Sequence, residues 1–415
     1  MPTSLLLTML VLAASPQGPA TLRALSPDAL DRADPAQTAA IESMLRRNAA
    51  QRSFDNAADS IAAADADADL QWPLQPAPGF EPFGYHGTGF FVDHDPRFPN
   101  LVQDYTCGTR SYDLDSGYNH AGTDYYLWPY PWLMMDQSEV HIVAAAPGVI
   151  ATKIDGNFDR DCAIAGNGGF NAVFVQQDDG LTAWYLHMKN GSLTTKALGE
   201  RVAAGEFLGL VGSSGPSSLP HLHFELHDAA GNIVDPFNGA CNDAPDRWIV
   251  PQPYESPRID TLTTHSAEPA LVDCGVDNGQ PVHEDPHFQD HFAPGATLWV
   301  FASYSDQRNG EVAHFSVLDP SSNVFSSWDF DLAGENLPRP FYSGTAWDWS
   351  VALPTDAPSG TWNVRAEFEG AIYSHAFEVV AATPVVRGHS HHARPPVGVP
   401  AAVCASDSSA GCDRR

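Results

Sequence analysis

The stretch Ser217–Asp228, SSLPHLHFELHD, decides how this chain is read. His221, His223, Glu225 and His227 fall on every second position, with Leu222, Phe224 and Leu226 between them. A period of two is the period of a strand, so the apolar residues face one way and the four polar residues the other. His221 and His223 then stand about 7 Å apart on one face, twice the strand rise. That spacing suits one imidazole binding a metal while the other reaches its water. A catalytic zinc takes three protein ligands and keeps one position open, so partners must come from elsewhere in the chain.

Working outward, the first partner is GYNHAGTDYY, where His120 and Asp124 stand four apart around Gly122. Two residues four apart lie on the same side of a strand, and an imidazole with a carboxylate is an ordinary zinc pair. By itself HxxxD is common. The second partner is WYLHMKNG, which places His187 at the end of an aromatic strand. The flanking runs VHIVAAAPGVIATKI, NAVFVQQ and LTAWYLHM are short, apolar or β-branched, and separated by glycine-containing turns, which predicts an antiparallel sheet between about residues 85 and 250.

The ordered set NHAGTD, WYLH and PHLHFE, with AAAPGVI after the first and VAAGEFLGLVGSSG before the last, resembles the lysostaphin-like or LytM-type zinc endopeptidases, including the beta-lytic metallopeptidases. The likeness runs from Tyr85 to Phe237. It implies a small antiparallel β fold with one Zn²⁺ held by His120, Asp124 and His223. It further implies that His187 and His221 are catalytic histidines assisting the metal's water, with Tyr112 in position to contact substrate. The implied reaction is hydrolysis of peptide bonds in bacterial peptidoglycan by a zinc-activated water, at cross-links or stem peptides. Glu225 and His227 receive no ligand role and read as the remainder of a polar strand face. Leu219 departs from the small residue common before the Pro of this motif, and the aromatic loop after Asp124 is longer than a minimal member needs.

Two other readings of the same fold are a non-catalytic wall-binding or regulatory module and a general secreted protease. The first usually lacks a ligand, and none is missing here; the second differs in substrate only. A competing motif, HEDPH at His283–His287, satisfies HExxH. That pattern binds zinc only on a helix, and Pro286 removes a backbone donor inside the turn.

Composition bounds the rest. The 415 residues are too many for one ordinary core, and 33 Gly with 34 Pro favour turns and strands. The fold class expected is mainly β: the antiparallel zinc peptidase domain followed by a β-sandwich. After the proline-rich VPQPYESPR, the alternating runs GATLWVFASY, EVAHFSVLD, AWDWSVAL, GTWNVRAEFEG and YSHAFEVV predict an immunoglobulin-like sandwich over 262–380, with 251–261 as linker. Residues 381–415 read as a tail. A net charge of −30 repels phosphate backbones and excludes nucleic acid as a partner.

At the start, the apolar run from Leu5 to Ala14 is too short to span a bilayer and ends in small residues, which predicts a signal peptide over residues 1–20 and a secreted or periplasmic protein without stable membrane insertion. Residues 21–84, rich in Ala and Asp but with one helix-compatible stretch, PAQTAAIESMLRRNAAQRS, read as a pro-segment or flexible leader and a linker that could occlude the groove before processing. The six cysteines of an exported chain can all pair. Sequence proximity suggests Cys107 with Cys162, Cys241 with Cys274, and Cys404 with Cys412.

Overall fold

The computed structural model describes residues 17–25, 30–32, 35–55, 69–165 and 168–380. The segments read as the apolar core of the signal and as the tail, with Cys404 and Cys412, lie outside them. The described chain is mainly β, and its sheets are almost wholly antiparallel. The sheet that carries the site has seven strands in the order 86–88, 123–127, 221–227, 182–186, 172–177, 148–154, 201–202. Strand His221–His227 is central, and every one of its residues is buried. Leu222, Phe224 and Leu226 enter the main core with Tyr125, Val173, Val175 and Tyr185, so the histidine face is the opposite one. Strands Phe207–Leu210, Val140–Val143 and Leu74–Pro76 form a second, three-stranded sheet. Leu74–Pro76 belongs to the stretch read as linker; its proline sits at an edge, where no ladder donor is needed.

The second half is a two-layer sandwich. One layer holds Arg258–His265, Thr297–Arg308 and Phe341–Ala352; the other has five strands, including Val312–Leu318, Val324–Asp331, Gly360–Phe368 and Ala371–Val379. Trp347, Trp349, Tyr304, Phe315, Trp362 and Phe377 fill the space between them. The first strand starts at Arg258, inside the expected linker, because Ile259 already enters the sandwich core, and a register shift before Thr261 lets Leu262 join it.

The two halves are fastened by polar contacts. Arg110 pairs with Asp306 at 2.6 Å, both buried, and donates to the carbonyl of Tyr254 at 2.7 Å. Arg258 donates to the carbonyl of His86 at 2.6 Å. HEDPH is extended, not helical: buried Glu284 accepts from the backbone N–H groups of Trp132 and Leu133 at the start of helix Pro131–Gln137. Negative charge belongs at that end of a helix. His283 meets Asp136 of the same helix at 2.7 Å.

Two disulfides form among the described residues, Cys107–Cys241 and Cys162–Cys274. The proximity pairing is therefore corrected. The bridges close 134 and 112 residues of chain, because the antiparallel fold returns distant loops to one another while Cys107 and Cys162 belong to different loops.

The leader also differs from a flexible segment. Strand Gln17–Leu25 pairs with Phe341–Ala352 and completes the sandwich's four-stranded layer. Its first residues fall inside the stretch assigned to the signal. Helix Pro35–Asp55 lies on the histidine face of the seven-stranded sheet, where Ile41 packs with Ala151, Phe170, Phe174, Trp184 and Leu186. The helix coincides with the stretch read as helix-compatible, and buried Leu30 and Ile41 with a paired backbone seat the leader on a surface already built, despite its Ala- and Asp-rich composition.

Candidate metal centre

Strand register brings the centre together. His223 lies directly opposite Asp124 on one neighbouring strand and Leu186 on the other, so Asp124 and the end of the 182–186 strand flank it on both sides. His120 enters just before the 123–127 strand. Gly122 between them has no room for a side chain: a Cβ there would sit 2.5 Å from the carbonyl oxygen of Phe224 and 2.8 Å from His223 Nε2. His187 follows the 182–186 strand with φ of 60°, a left-handed turn that is uncommon outside glycine. That bend leaves the His187 ring 4.6 Å from the ring of His221, centroid to centroid.

The ring nitrogens are sorted by their outer partners. His120 Nδ1 faces the carbonyl of Phe91 at 2.7 Å, His187 Nδ1 that of Ser214 at 2.7 Å, and His221 Nδ1 that of Leu219 at 2.8 Å. A carbonyl only accepts, so each Nδ1 carries the proton and each Nε2 is left with its lone pair. His223 is reversed: Nε2 faces the Glu225 carboxylate at 2.7 Å, which leaves Nδ1 pointing at Asp124 Oδ1, 2.9 Å away. His120 Nε2 lies 3.3 Å from His223 Nδ1 and 3.1 Å from Asp124 Oδ2. All five side chains are buried.

Lone pairs and a carboxylate converging in a dry site repel unless positive charge joins them. Without a cation the need falls on protons. Burial alone would lower the pKa of His223, but the charge of Asp31 and hydrogen bonds to Asp124, Asp31 and Glu225 raise it well above its ordinary value. Burial likewise works against the charged form of His120, and Asp124 raises it nonetheless. His187 is lowered, by burial and then by the charge of His221. The donor atoms of His120, Asp124, His223 and a fourth residue, Asp31, lie within 4.8 Å of one another. Two imidazole nitrogens and carboxylate oxygen are what zinc prefers, so the residues present fit the ion.

Asp31 is the residue that sequence reasoning missed. Residues 30–32 run against 216–218: Ser218 N–H donates to the Leu30 carbonyl at 2.9 Å and Arg32 N–H to that of Pro216 at 3.2 Å. This antiparallel seat delivers the Asp31 carboxylate 2.6 Å from His223 Nδ1, 3.0 Å from His187 Nε2 and 3.6 Å from His221 Nε2. Its pKa lies well below the ordinary value: burial would raise it, but the charge of His223 and the hydrogen bond from its Nδ1 overcome that. Tyr112 is buried, stacks on His120 at 4.4 Å and hydrogen-bonds the other Asp31 oxygen. Nothing in the leader's Ala- and Asp-rich composition distinguishes Asp31 from its neighbours.

An antiparallel sheet holding a buried His/Asp cluster of this kind is a candidate metal centre. Residues 133–236 match the profile of Peptidase family M23, and the chain carries a domain of that family. Among curated proteins, the glycyl-glycine endopeptidase ALE-1 of Staphylococcus capitis is 39% identical over 59 residues, 14% of this chain and 16% of that protein. Lysostaphin of Staphylococcus staphylolyticus is 37% identical over 59 residues, 14% of this chain and 12% of that protein. The likeness thus spans under a fifth of either relative. Among solved structures, a point mutant of the catalytic domain of the prophage-encoded M23 protein EnpA from Enterococcus faecalis is 29% identical, covering 34% of this chain and 92% of that one with a TM-score of 0.22. Among the described residues, no helix is long and apolar enough to cross a membrane.

Proposed function

We propose that this protein is a zinc metalloendopeptidase, acting outside the cytoplasm, that hydrolyses peptide bonds in the cross-links or stem peptides of bacterial peptidoglycan, and that the chain with its leader seated is the latent form. The observation that carries the reading is a buried group of His120, Asp124 and His223 with His187 and His221 beside it, the two sets joined by Asp31, within an M23 domain. The glycyl-glycine endopeptidase activity for which ALE-1 is named supports a wall peptide as substrate.

His120, Asp124 and His223 would hold the zinc. The ion supplies Lewis-acid chemistry, polarising the scissile carbonyl and lowering the pKa of water toward about 7. His187 and His221 each have Nδ1 tied to a carbonyl and Nε2 aimed into the site, so either can take a proton and return it to the leaving amine. The Tyr112 hydroxyl, now spent on Asp31, is placed to donate to the developing oxyanion once that carboxylate leaves. Asp31 meets the same three histidines and so keeps substrate and water out.

The test is digestion of purified sacculi by the Asp31→Ala protein, with products identified by mass spectrometry. New amino termini within wall peptides, lost on chelation, restored by zinc and absent in Asp31→Ala/His223→Ala, are expected. Stoichiometric zinc without any cleaved peptide bond, or cleavage indifferent to chelation, refutes the proposal.

A further inference from the structure

The two polar residues that complete the alternation, Glu225 and His227, are as buried as the histidines before them. Glu225 uses both oxygens: Oε1 lies 2.7 Å from His223 Nε2, and Oε2 lies 2.6 Å from His227 Nε2. The His227 ring is stacked on Trp184, with centroids 4.0 Å apart and planes at 16°, and Trp184 stands directly across the ladder from Glu225. A row therefore leads away from the centre through His223, Glu225 and His227 to an indole wall.

We infer that Glu225 and His227 are positioning residues that hold His223 in the only tautomer able to bind the zinc. The inference rests on the zinc reading above. His223 has acceptors at both ends, since Asp124 Oδ1 lies 2.9 Å from Nδ1 on the site side. A proton drawn to Nδ1 by Asp124 would block that atom as a ligand. Glu225 competes from the other side and keeps the proton on Nε2, leaving the Nδ1 lone pair for the metal. A carboxylate accepting from the far side of an imidazole also makes its other nitrogen a stronger donor, which is why such partners commonly change metal affinity by about 10–100-fold when removed. His227 fixes the carboxylate in turn. It has one N–H to give, at Nε2, and no described hydrogen-bond partner at Nδ1; stacking on Trp184 holds the ring plane in the orientation the bond requires. The period of two makes the row possible, because His223, Glu225 and His227 share one face of one strand.

The experiment uses the full chain and three variants. Glu225→Gln keeps shape and an acceptor but loses the charge, Glu225→Ala loses the acceptor, and His227→Phe keeps the stack on Trp184 but loses the hydrogen bond. Zinc affinity is measured by competition with a fluorescent chelator, the ligand field by the visible spectrum of the cobalt(II) form, and thermal unfolding with and without metal. Expected are zinc dissociation constants raised about tenfold in Glu225→Gln and His227→Phe and towards a hundredfold in Glu225→Ala, with an altered cobalt spectrum and a smaller metal-induced rise in Tm. Wild-type affinity and spectrum in all three variants overturn the inference, even if their metal-free Tm falls, since that is what mere packing residues would do. If the variants match a wild type that binds zinc stoichiometrically, only this inference fails; if the wild type binds no zinc, the proposed function fails with it.

Discussion

Replacing Asp31 by Ala in the full chain should turn on peptidase activity without cutting the leader. The carboxylate is 1% exposed and lies 2.6 Å from His223 and 3.0 Å from His187. A hydrogen bond to a charged partner contributes about 1.5–3 kcal/mol, and His223 supplies one in the metal-free chain. With zinc on His223 Nδ1 the ion's charge would hold the same carboxylate by a comparable amount, so segment 30–32 is held by up to about 3 kcal/mol. About 3 kcal/mol is roughly a hundredfold in the ratio of open to closed sites. Strand Gln17–Leu25 and helix Pro35–Asp55 remain seated on their own contacts, so the opening is local. Initial rates on a fluorogenic peptide containing a glycyl-glycine bond, at equal zinc content, provide the assay. Asp31→Ala should exceed wild type by tens to a hundredfold, and Asp31→Asn, which keeps the shape but not the charge, by less. Rates within twofold of one another would show that Asp31 does not close the site.

Three further outcomes follow from other parts of the molecule. Ile41→Asp puts a charge against Phe174 and Trp184, at a cost of several kcal/mol if it stays buried, so the leader helix should lift and become the first site of limited proteolysis; a protease pattern unchanged from wild type refutes this. Arg110→Ala strands the buried Asp306 carboxylate and should cost about 3–5 kcal/mol in denaturant unfolding, whereas a loss under 1 kcal/mol would place that pair among ordinary surface bridges. Asp348 is 1% exposed with neither carboxylate oxygen hydrogen-bonded, and burial, then the charge of Glu268, raises its pKa from 3.8 to about 7. A raised folded pKa means the folded state holds the proton longer: stability is intact below about pH 4 and falls as pH climbs toward 7. Asp348→Asn should therefore unfold at the wild-type midpoint near pH 4 and gain about 4 kcal/mol over wild type by pH 8; a gain independent of pH would refute the assignment.

The sequence was most legible where chemistry and period coincide. His120, Asp124, His187, His221 and His223 could be selected because residue types rare in combination recur at strand spacings in a fixed order, and the structure gathers them into two adjoining groups, His120, Asp124 and His223 in one and His187 and His221 in the other, joined by Asp31. The mainly β fold was legible for the same reason, since alternation and turn residues are local. Glu225 and His227 were visible too, but their spacing alone could not separate a solvated face from a buried one. That difference arises because Trp184 stacks on His227 and stands across the ladder from Glu225.

What the sequence determined by itself is thus the set of donors and the faces on which they stand, because side-chain direction along a strand depends only on position parity. The tertiary structure alone decided register, pairing and cover. Asp31 reaches the centre across 192 residues, through backbone bonds to 216–218 that leave no trace in composition. The cysteines exchanged their expected partners for ones 134 and 112 residues away. Contacts over such distances are set by how sheets close on one another, which no local period encodes. In this protein they determine whether an assembled centre stands open or shut.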